Sequence, residues 1–376
     1  MRDTDVVVKP RAAMPADART LPAKYYTDRT YFDREMDLLF GRTWICAARE
    51  EQLAAPGQFV VREIPGESVI LTRAPSGGVH AFHNVCRHRG TRLCVEREGT
   101  FAGSIQCPYH SWTYDLEGRL IGAPHMEEVP HFRRDDHPLH RVHADTWDGH
   151  VFINLSPDPR PLAAQLGPLP GKFRNWRMQD LRLGRRIVYD VKANWKLIVQ
   201  NYNECLHCPN LHPALNRLSH YLSGENEPFR AAYMGGAMDL RPGVDTMSFD
   251  GTCPRDILPG LSAEERRRVY YYAIFPNMLL SLHPDYMMVH TLWPQAPDRT
   301  VNVCEWHFQP GELARPGFDP SDAVGFWDMT NRQDWHVCEL SQAGISSRAY
   351  VPGPYSNRED LLYAFDRMIV ELHAQG

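Results

Sequence analysis

From Tyr25 to Phe40 (YYTDRTYFDREMDLLF) apolar residues recur at helical spacing, which predicts a first helix with Thr30 placed to cap its start. Between Trp44 and about Leu155 the period shortens. Runs such as QFVVREI, ESVILTR and GHVFINL alternate over a few residues and are separated by Gly, Pro and Asp turns, the pattern of a small all-β domain. The proline-rich stretch Ser156 to Pro170 (SPDPRPLAAQLGPLP) reads as a linker. Beyond it, RRIVYDVKAN predicts a strand and NWKLIVQNYNECLHC a helix capped by Asn194. YYYAIFPNMLLSL, YMMVHTLWP and TVNVCEWHFQ predict further strands, and DAVGFWDMTNRQDWHVCELSQ and EDLLYAFDRMIVELHAQ predict two closing helices. The expected organisation is an arm and helix over 1–43, an all-β domain over 44–155, a linker over 156–170 and an α+β domain over 171–376 whose antiparallel sheet cradles helices.

Composition narrows the class. The 376 residues are 43% hydrophobic and 23% charged, enough for two domains with ample core. A formal net charge of −5 argues against nucleic-acid binding. No apolar run approaches the ~20 residues of a membrane span. The first twenty residues lack the apolar core of a signal peptide and read as a flexible arm. Nine cysteines, an odd count, fit metal chemistry in a reducing cytoplasm better than a disulfide framework.

Candidate chemistry concentrates in two places. The first holds Cys86-x-His88 and Cys107-x-x-His110, with Gly90 and Pro108 available for tight turns. Zinc pairs usually come as C-x-x-C with H-x3–5-H, so mixed Cys/His pairs weigh against a structural zinc knuckle. They suit a [2Fe-2S] cluster in which each pair gives its Cys to one iron and its His to the other, because replacing two thiolates by neutral imidazoles raises the reduction potential. The second place is Glu204-x-x-His207-x4-His212. On a regular helix Glu204 and His207 share a face, whereas five steps place His207 and His212 about 140° apart. A helix break at Pro209 would let both imidazoles converge on one ion. Two His and one carboxylate form the facial set of oxygen-activating Fe(II). Cys205 and Cys208 read as packing residues.

The run C-x-H…C-P-Y-H-x-W-x-Y-x-x-x-G-x-L, carried here by Cys86, His88, Cys107, His110, Trp112, Tyr114, Gly118 and Leu120, resembles the Rieske motif of the Rieske non-haem iron oxygenases. Ser111 stands where Gly is usual. The resemblance implies an all-β Rieske domain joined to an α+β catalytic domain of helix-grip type. It implies a [2Fe-2S] cluster on Cys86, His88, Cys107 and His110 and a mononuclear Fe(II) on His207 and His212. The third iron ligand is an Asp from a late helix; alignment with the family selects Asp334 over Asp328 and Glu339. Glu204 is the implied carboxylate bridge for electrons passing from the cluster of one subunit to the iron of the next in a ring-shaped trimer or dimer of trimers. Most ring-dihydroxylating relatives carry Asp there; Glu matches the branch acting on quaternary amines, which includes glycine betaine, choline, carnitine and stachydrine oxygenases.

That branch implies O2-dependent hydroxylation of a small quaternary ammonium compound, in most members ending in N-demethylation. No GxGxxG appears, so electrons from NADH or NADPH must arrive through a separate reductase carrying flavin and an iron–sulfur centre. A quaternary ammonium group calls for an aromatic cage, for which Tyr202, Tyr233, Phe249, Tyr271 and Trp293 are candidates. Rival readings are a ring-hydroxylating dioxygenase or an O-demethylase of an aromatic acid and, outside enzymes, a zinc-stabilised binding module.

Overall fold

The alternating segments from Trp44 to Leu155 pair as antiparallel strands. In chain order these are β1 (Ile45–Arg49), β2 (Gln58–Ile64), β3 (Glu67–Arg73), β4 (Val79–His83), β5 (Glu98–Thr100), β6 (Ser104–Gln106), β7 (Thr113–Asp115), β8 (Leu120–Gly122), β9 (Arg141–Trp147) and β10 (His150–Asn154). They form a seven-stranded sheet of order β1-β10-β9-β4-β3-β2-β5 and a three-stranded sheet β6-β7-β8. Phe59, Ile70, Phe82, Ile105, Tyr114 and Leu116 fill one core together with Cys86 and Cys107. Gly118 sits at φ +85°, where a Cβ would lie 2.4 Å from the Phe82 ring, so only glycine fits this turn. This computed structural model describes residues 13–64, 66–230 and 232–374. The chain divides into two compact units, Leu39–Gln165 and the remainder, each described by itself. The first twelve residues of the expected arm lie outside the described residues.

The second unit opens with helices α1 (Lys24–Thr27) and α2 (Arg29–Glu35). The single helix expected over 25–40 is therefore interrupted. Asp28 leaves the helical region and its carboxylate accepts the Thr30 N–H at 2.7 Å, so Asp28 rather than Thr30 caps α2. A π-turn, Met36–Phe40, ends the segment. The proline-rich stretch is partly helical, as α3 (Leu162–Leu166) and α4 (Leu169–Lys172), because prolines are tolerated in a first helical turn.

The strand β11 (Arg182–Val191) leads into α5 (Trp195–Tyr202), whose cap Asn194 accepts the Lys196 N–H at 3.1 Å. Short helices α6 (Cys208–Leu211) and α7 (Pro213–Leu218) follow. Then come β12 (Glu225–Asn226), β13 (Tyr233–Asp239), β14 (Arg268–Ile274), β15 (Met278–Leu282), β16 (Met287–Ala296), β17 (Arg299–Phe308), α8 (Pro310–Leu313), α9 (Ser321–Ile345) and α10 (Asp360–Ala374). YYYAIFPNMLLSL spans two strands, since the chain turns at Phe275–Asn277. The sheet is antiparallel, in the order β11-β17-β16-β15-β14-β13-β12.

Helices α5 and α9 pack together and against this sheet. Gln342 of α9 accepts the Asn194 N–H at 2.9 Å, fixing the start of α5. Lys196 and Glu35, both fully buried, pair at 2.6 and 2.8 Å, and the Trp195 indole donates to the same carboxylate. A buried carboxylate with this many donors is satisfied, so the pair locks α2 to α5 without leaving a charge unpaired.

Candidate functional site

Two loops of matching backbone geometry carry the first ligand set. Cys86 donates its N–H to Thr91 O and its carbonyl accepts from Gly90; Cys107 donates to Trp112 O and its carbonyl accepts from Ser111. Each loop turns at a left-handed residue, Gly90 (φ +75°) and Ser111 (φ +57°). Pro108 lies within the second turn, as expected, and Ser111 closes that turn in the conformation that glycine adopts more easily.

The loops bring all four side chains together. The two thiols are buried and within hydrogen-bonding reach of each other. The His88 and His110 rings lie 4.8 Å apart, and His88 stacks on Trp112. His88 is exposed and His110 half-buried, so sulfur faces inward and imidazole outward. Burial pushes the Cys86 thiol up, against the Tyr114 hydroxyl 3.4 Å from its Sγ. Two thiolates beside two imidazoles fit a two-iron, two-sulfide cluster.

The second set forms where α5 ends. Asn203 closes that helix, so Glu204 to His207 lie in a turn instead of on the helical face expected for them. The break therefore precedes Pro209, which sits in the first turn of α6, and Pro213 starts α7. Cys205 and Cys208, expected as packing thiols, are joined by a disulfide, because the turn brings their Cα atoms to 5.0 Å.

The turn and α9 converge. One ligand atom each from His207, His212 and Asp334 falls within a 4.8 Å group. Asp334 Oδ1 is 2.7 Å from His212 Nε2 and 3.4 Å from His207 Nε2. Each ring turns its other nitrogen to an oxygen: His207 Nδ1 to Glu204 Oε1 at 2.5 Å, and His212 Nδ1 to Gln333 Oε1 at 2.7 Å. This arrangement directs Nε2 of both rings to the centre. Burial disfavours a charged His207, yet Asp334 and Glu204 raise it to about 10. Burial likewise opposes the Asp334 charge, but the two histidines hold its carboxyl below the ordinary range. Two imidazoles and one carboxylate fit a mononuclear iron with open positions.

Asp328 and Glu339 point elsewhere. Asp328 accepts the Tyr189 hydroxyl at 2.8 Å and pairs with Arg332, and Glu339 accepts the Lys192 N–H at 3.0 Å. Gln333 was not anticipated; its only sequence signal is that it precedes Asp334.

A cavity of about 120 Å³ opens beside the triad. Its lining includes Tyr202, Tyr221, Tyr271, Trp327 and Trp335. Of the five cage candidates, Tyr202 and Tyr271 line it, with rings 6.0 Å apart. The other three do not. Tyr233 is buried near Tyr272, Phe249 is exposed beside Phe326, and Trp293 lies on β16 opposite Val301. Sequence spacing could not reveal Trp327 and Trp335, which reach the cavity from α9. A second cavity, about 560 Å³, lies along α9 toward its C-terminal end; Asn201, Glu204 and His207 line both.

Comparison with known proteins places the chain in a family. Residues 43–133 match the family model described as Rieske [2Fe-2S] domain, and residues 178–375 the model described as ring hydroxylating alpha subunit (catalytic domain). The chain belongs to the Rieske non-haem iron oxygenases, as an alpha (oxygenase) subunit, an oxidoreductase that uses a [2Fe-2S] cluster, a mononuclear iron and O2. It is 40% identical over 350 residues to the carnitine monooxygenase oxygenase subunit of Escherichia coli (strain K12), covering 90% of this chain and 87% of that one. It is 30% identical over 365 residues to the glycine betaine monooxygenase oxygenase subunit of Pseudomonas aeruginosa, covering 90% and 85%. Among solved structures, the quaternary ammonium Rieske monooxygenase CntA with L-carnitine aligns at a TM-score of 0.80 and 24% identity, over 96% of this chain and 99% of that one. Naphthalene 1,2-dioxygenase from Rhodococcus sp. aligns at 0.75 and 20%, over 94% and 95%.

Proposed function

We propose that this chain hydroxylates a small quaternary ammonium compound, releasing a methyl group as formaldehyde where the attacked carbon is an N-methyl. The observation that carries this reading is the aromatic cavity against the triad. Its two carboxylates are already engaged: Asp334 by both histidines, Glu204 by His207 Nδ1 and the Leu206 N–H. A cation entering there meets ring faces, and cation–π attraction of about 2 kcal/mol or more when desolvated favours a permanently charged ammonium that needs no hydrogen-bond acceptor. The polar tips of two rings are tied back, Tyr202 OH to Ser281 and Trp327 Nε1 to Tyr286 OH, which holds the ring bodies in place. The names of the carnitine and glycine betaine relatives support the same substrate class.

When bound, the mononuclear iron supplies O2 activation and the cluster supplies electrons one at a time. Cys86, His88, Cys107 and His110 would hold the cluster; His207, His212 and Asp334 would hold the iron. Gln333 and Glu204 fix which nitrogen each histidine presents. Glu204 also stands in the wall between the two cavities, where its carboxylate is reachable by an imidazole N–H from outside. A cluster histidine of a neighbouring subunit in a homotrimer or dimer of trimers would dock there, making Glu204 the bridge. The partner that would supply electrons is a separate NAD(P)H-dependent flavin and iron–sulfur reductase, and the setting is cytoplasmic. No helix among the described residues is long and apolar enough to cross a membrane.

The test is reconstitution with such a reductase. NADH oxidation coupled to formaldehyde from trimethylammonium acids supports the proposal. A cis-diol from an arene, or formaldehyde only from a methoxy aromatic acid, refutes it. Sedimentation of the holoprotein as a monomer refutes the inter-subunit bridge.

A further inference from the structure

Resting on the quaternary ammonium reading, we propose that Arg358 receives a carboxylate at the far end of the substrate, making the enzyme selective for zwitterions over cationic alcohols or esters. Arg358 is the only Lys or Arg among the described residues lining the aromatic cavity. It is half-buried, and its guanidinium makes no hydrogen bond or ion pair with any described residue. The neighbouring carboxylates are occupied: Asp360 Oδ1 accepts from Asn226 Nδ2 at 2.9 Å, and Glu359 Oε2 accepts the Ser356 N–H at 2.7 Å. The backbone around it is held, since the Arg358 N–H donates to Ser356 Oγ at 3.3 Å just before α10 begins.

A row of sheet residues lines the same cavity as this arginine. Asn226, Gly236 and Tyr271 are directly opposite one another on β12, β13 and β14, so they share one face of the sheet, and all three line the cavity. Gly236 carries no side chain to block the row. The Tyr271 hydroxyl is buried with no hydrogen-bond partner, a second unused donor along the same row. His290, the lining histidine outside the triad, is lowered to about 4 by burial and contributes no competing positive charge. An unpaired planar fork of donors in a cavity that holds no other Lys or Arg among the described residues matches a carboxylate. With the carboxylate at Arg358, the ammonium lies over the rings and its methyl groups face the triad.

The experiment measures binding to the holoenzyme, by calorimetry and by quenching of cavity tryptophans, for three probes. These are a trimethylammonium carboxylate, its methyl ester, and the carboxylate in which carbon replaces nitrogen. Charge-assisted hydrogen bonds predict that Arg358→Gln weakens the zwitterion by about 10–100-fold and the ester by less than about twofold. Arg358→Lys recovers part of the loss, while cluster absorbance and iron content stay unchanged. Equal weakening of zwitterion and ester, or no change in either, overturns the role of Arg358 and leaves the quaternary ammonium reading standing. Equally tight, Arg358-dependent binding of the all-carbon carboxylate supports the arginine and overturns the ammonium reading. A wild-type protein that binds none of the three overturns both.

Discussion

Glu204→Gln isolates the carboxylate that touches His207. In the native turn both oxygens accept: Oε1 from His207 Nδ1 at 2.5 Å and Oε2 from the Leu206 N–H. A glutamine keeps one acceptor and turns an NH2 toward the other donor. The bond to His207 loses charge assistance, worth about 1 kcal/mol, and the Leu206 N–H must turn to water, costing about 0.5–1 kcal/mol. The Leu206 N–H loses its acceptor with or without iron, so only the first figure, about 1 kcal/mol, enters iron affinity and predicts binding weaker by roughly fivefold. At saturating Fe(II) the site refills, so any remaining defect reports electron transfer. Iron affinity is read by chelator competition. Electron transfer is read as product formed in a single turnover from prereduced cluster and O2. Wild-type iron affinity together with a wild-type single-turnover rate would refute the reasoning.

Four further outcomes are expected. Asp334→Asn should lose iron more severely than the ~10–100-fold of an outer-sphere change, while Asp328→Asn, bonded to Tyr189 and Arg332, should retain it; metal analysis decides, and the reverse order would reassign the third ligand. Tyr114→Phe removes a donor from the Cys86 thiolate and should lower the cluster potential by ~40 mV, the one-electron equivalent of ~1 kcal/mol, in a spectroelectrochemical titration. Glu35→Gln leaves Lys196 buried without its anion and should cost about 3–5 kcal/mol, seen as a lower urea midpoint of the catalytic unit. Asp366 is pushed up to about 7 by burial, against the Tyr355 and Gln200 donors. The folded state therefore keeps a proton that the unfolded chain releases near pH ~4. Stability is fully present below pH ~4 and falls by a few kcal/mol as pH rises toward 7; Asp366→Asn should flatten that slope, and parallel pH profiles would refute it.

Local order was largely legible along the chain. The alternating runs gave the β-rich unit, Asn194 announced α5, and the late amphipathic segments became α9 and α10. Failures came where a short polar residue competes with the helix: Asp28 breaks the first helix, and Asn203 ends α5 before Glu204. Ser111 was visible only as a departure from glycine, and its left-handed turn shows why glycine is usual there.

The residues proposed for the cluster stand out in the sequence as two Cys/His pairs at two- and three-residue spacing, whereas His207 and His212, five apart, stand out only beside them. Helical carboxylates are common, so the sequence selects Asp334 only through the family resemblance, and the packing of α9 against α5 then brings it to both imidazoles. The cavity needed the fold entirely. Trp327, Trp335 and Arg358 stand far along the chain from Tyr202 and Tyr271, and no periodicity links residues whose proximity comes from sheet register and helix packing. Covalent neighbours thus determine what chemistry is possible, whereas long-range packing, by removing water and choosing which side chains converge, decides which molecule that chemistry meets.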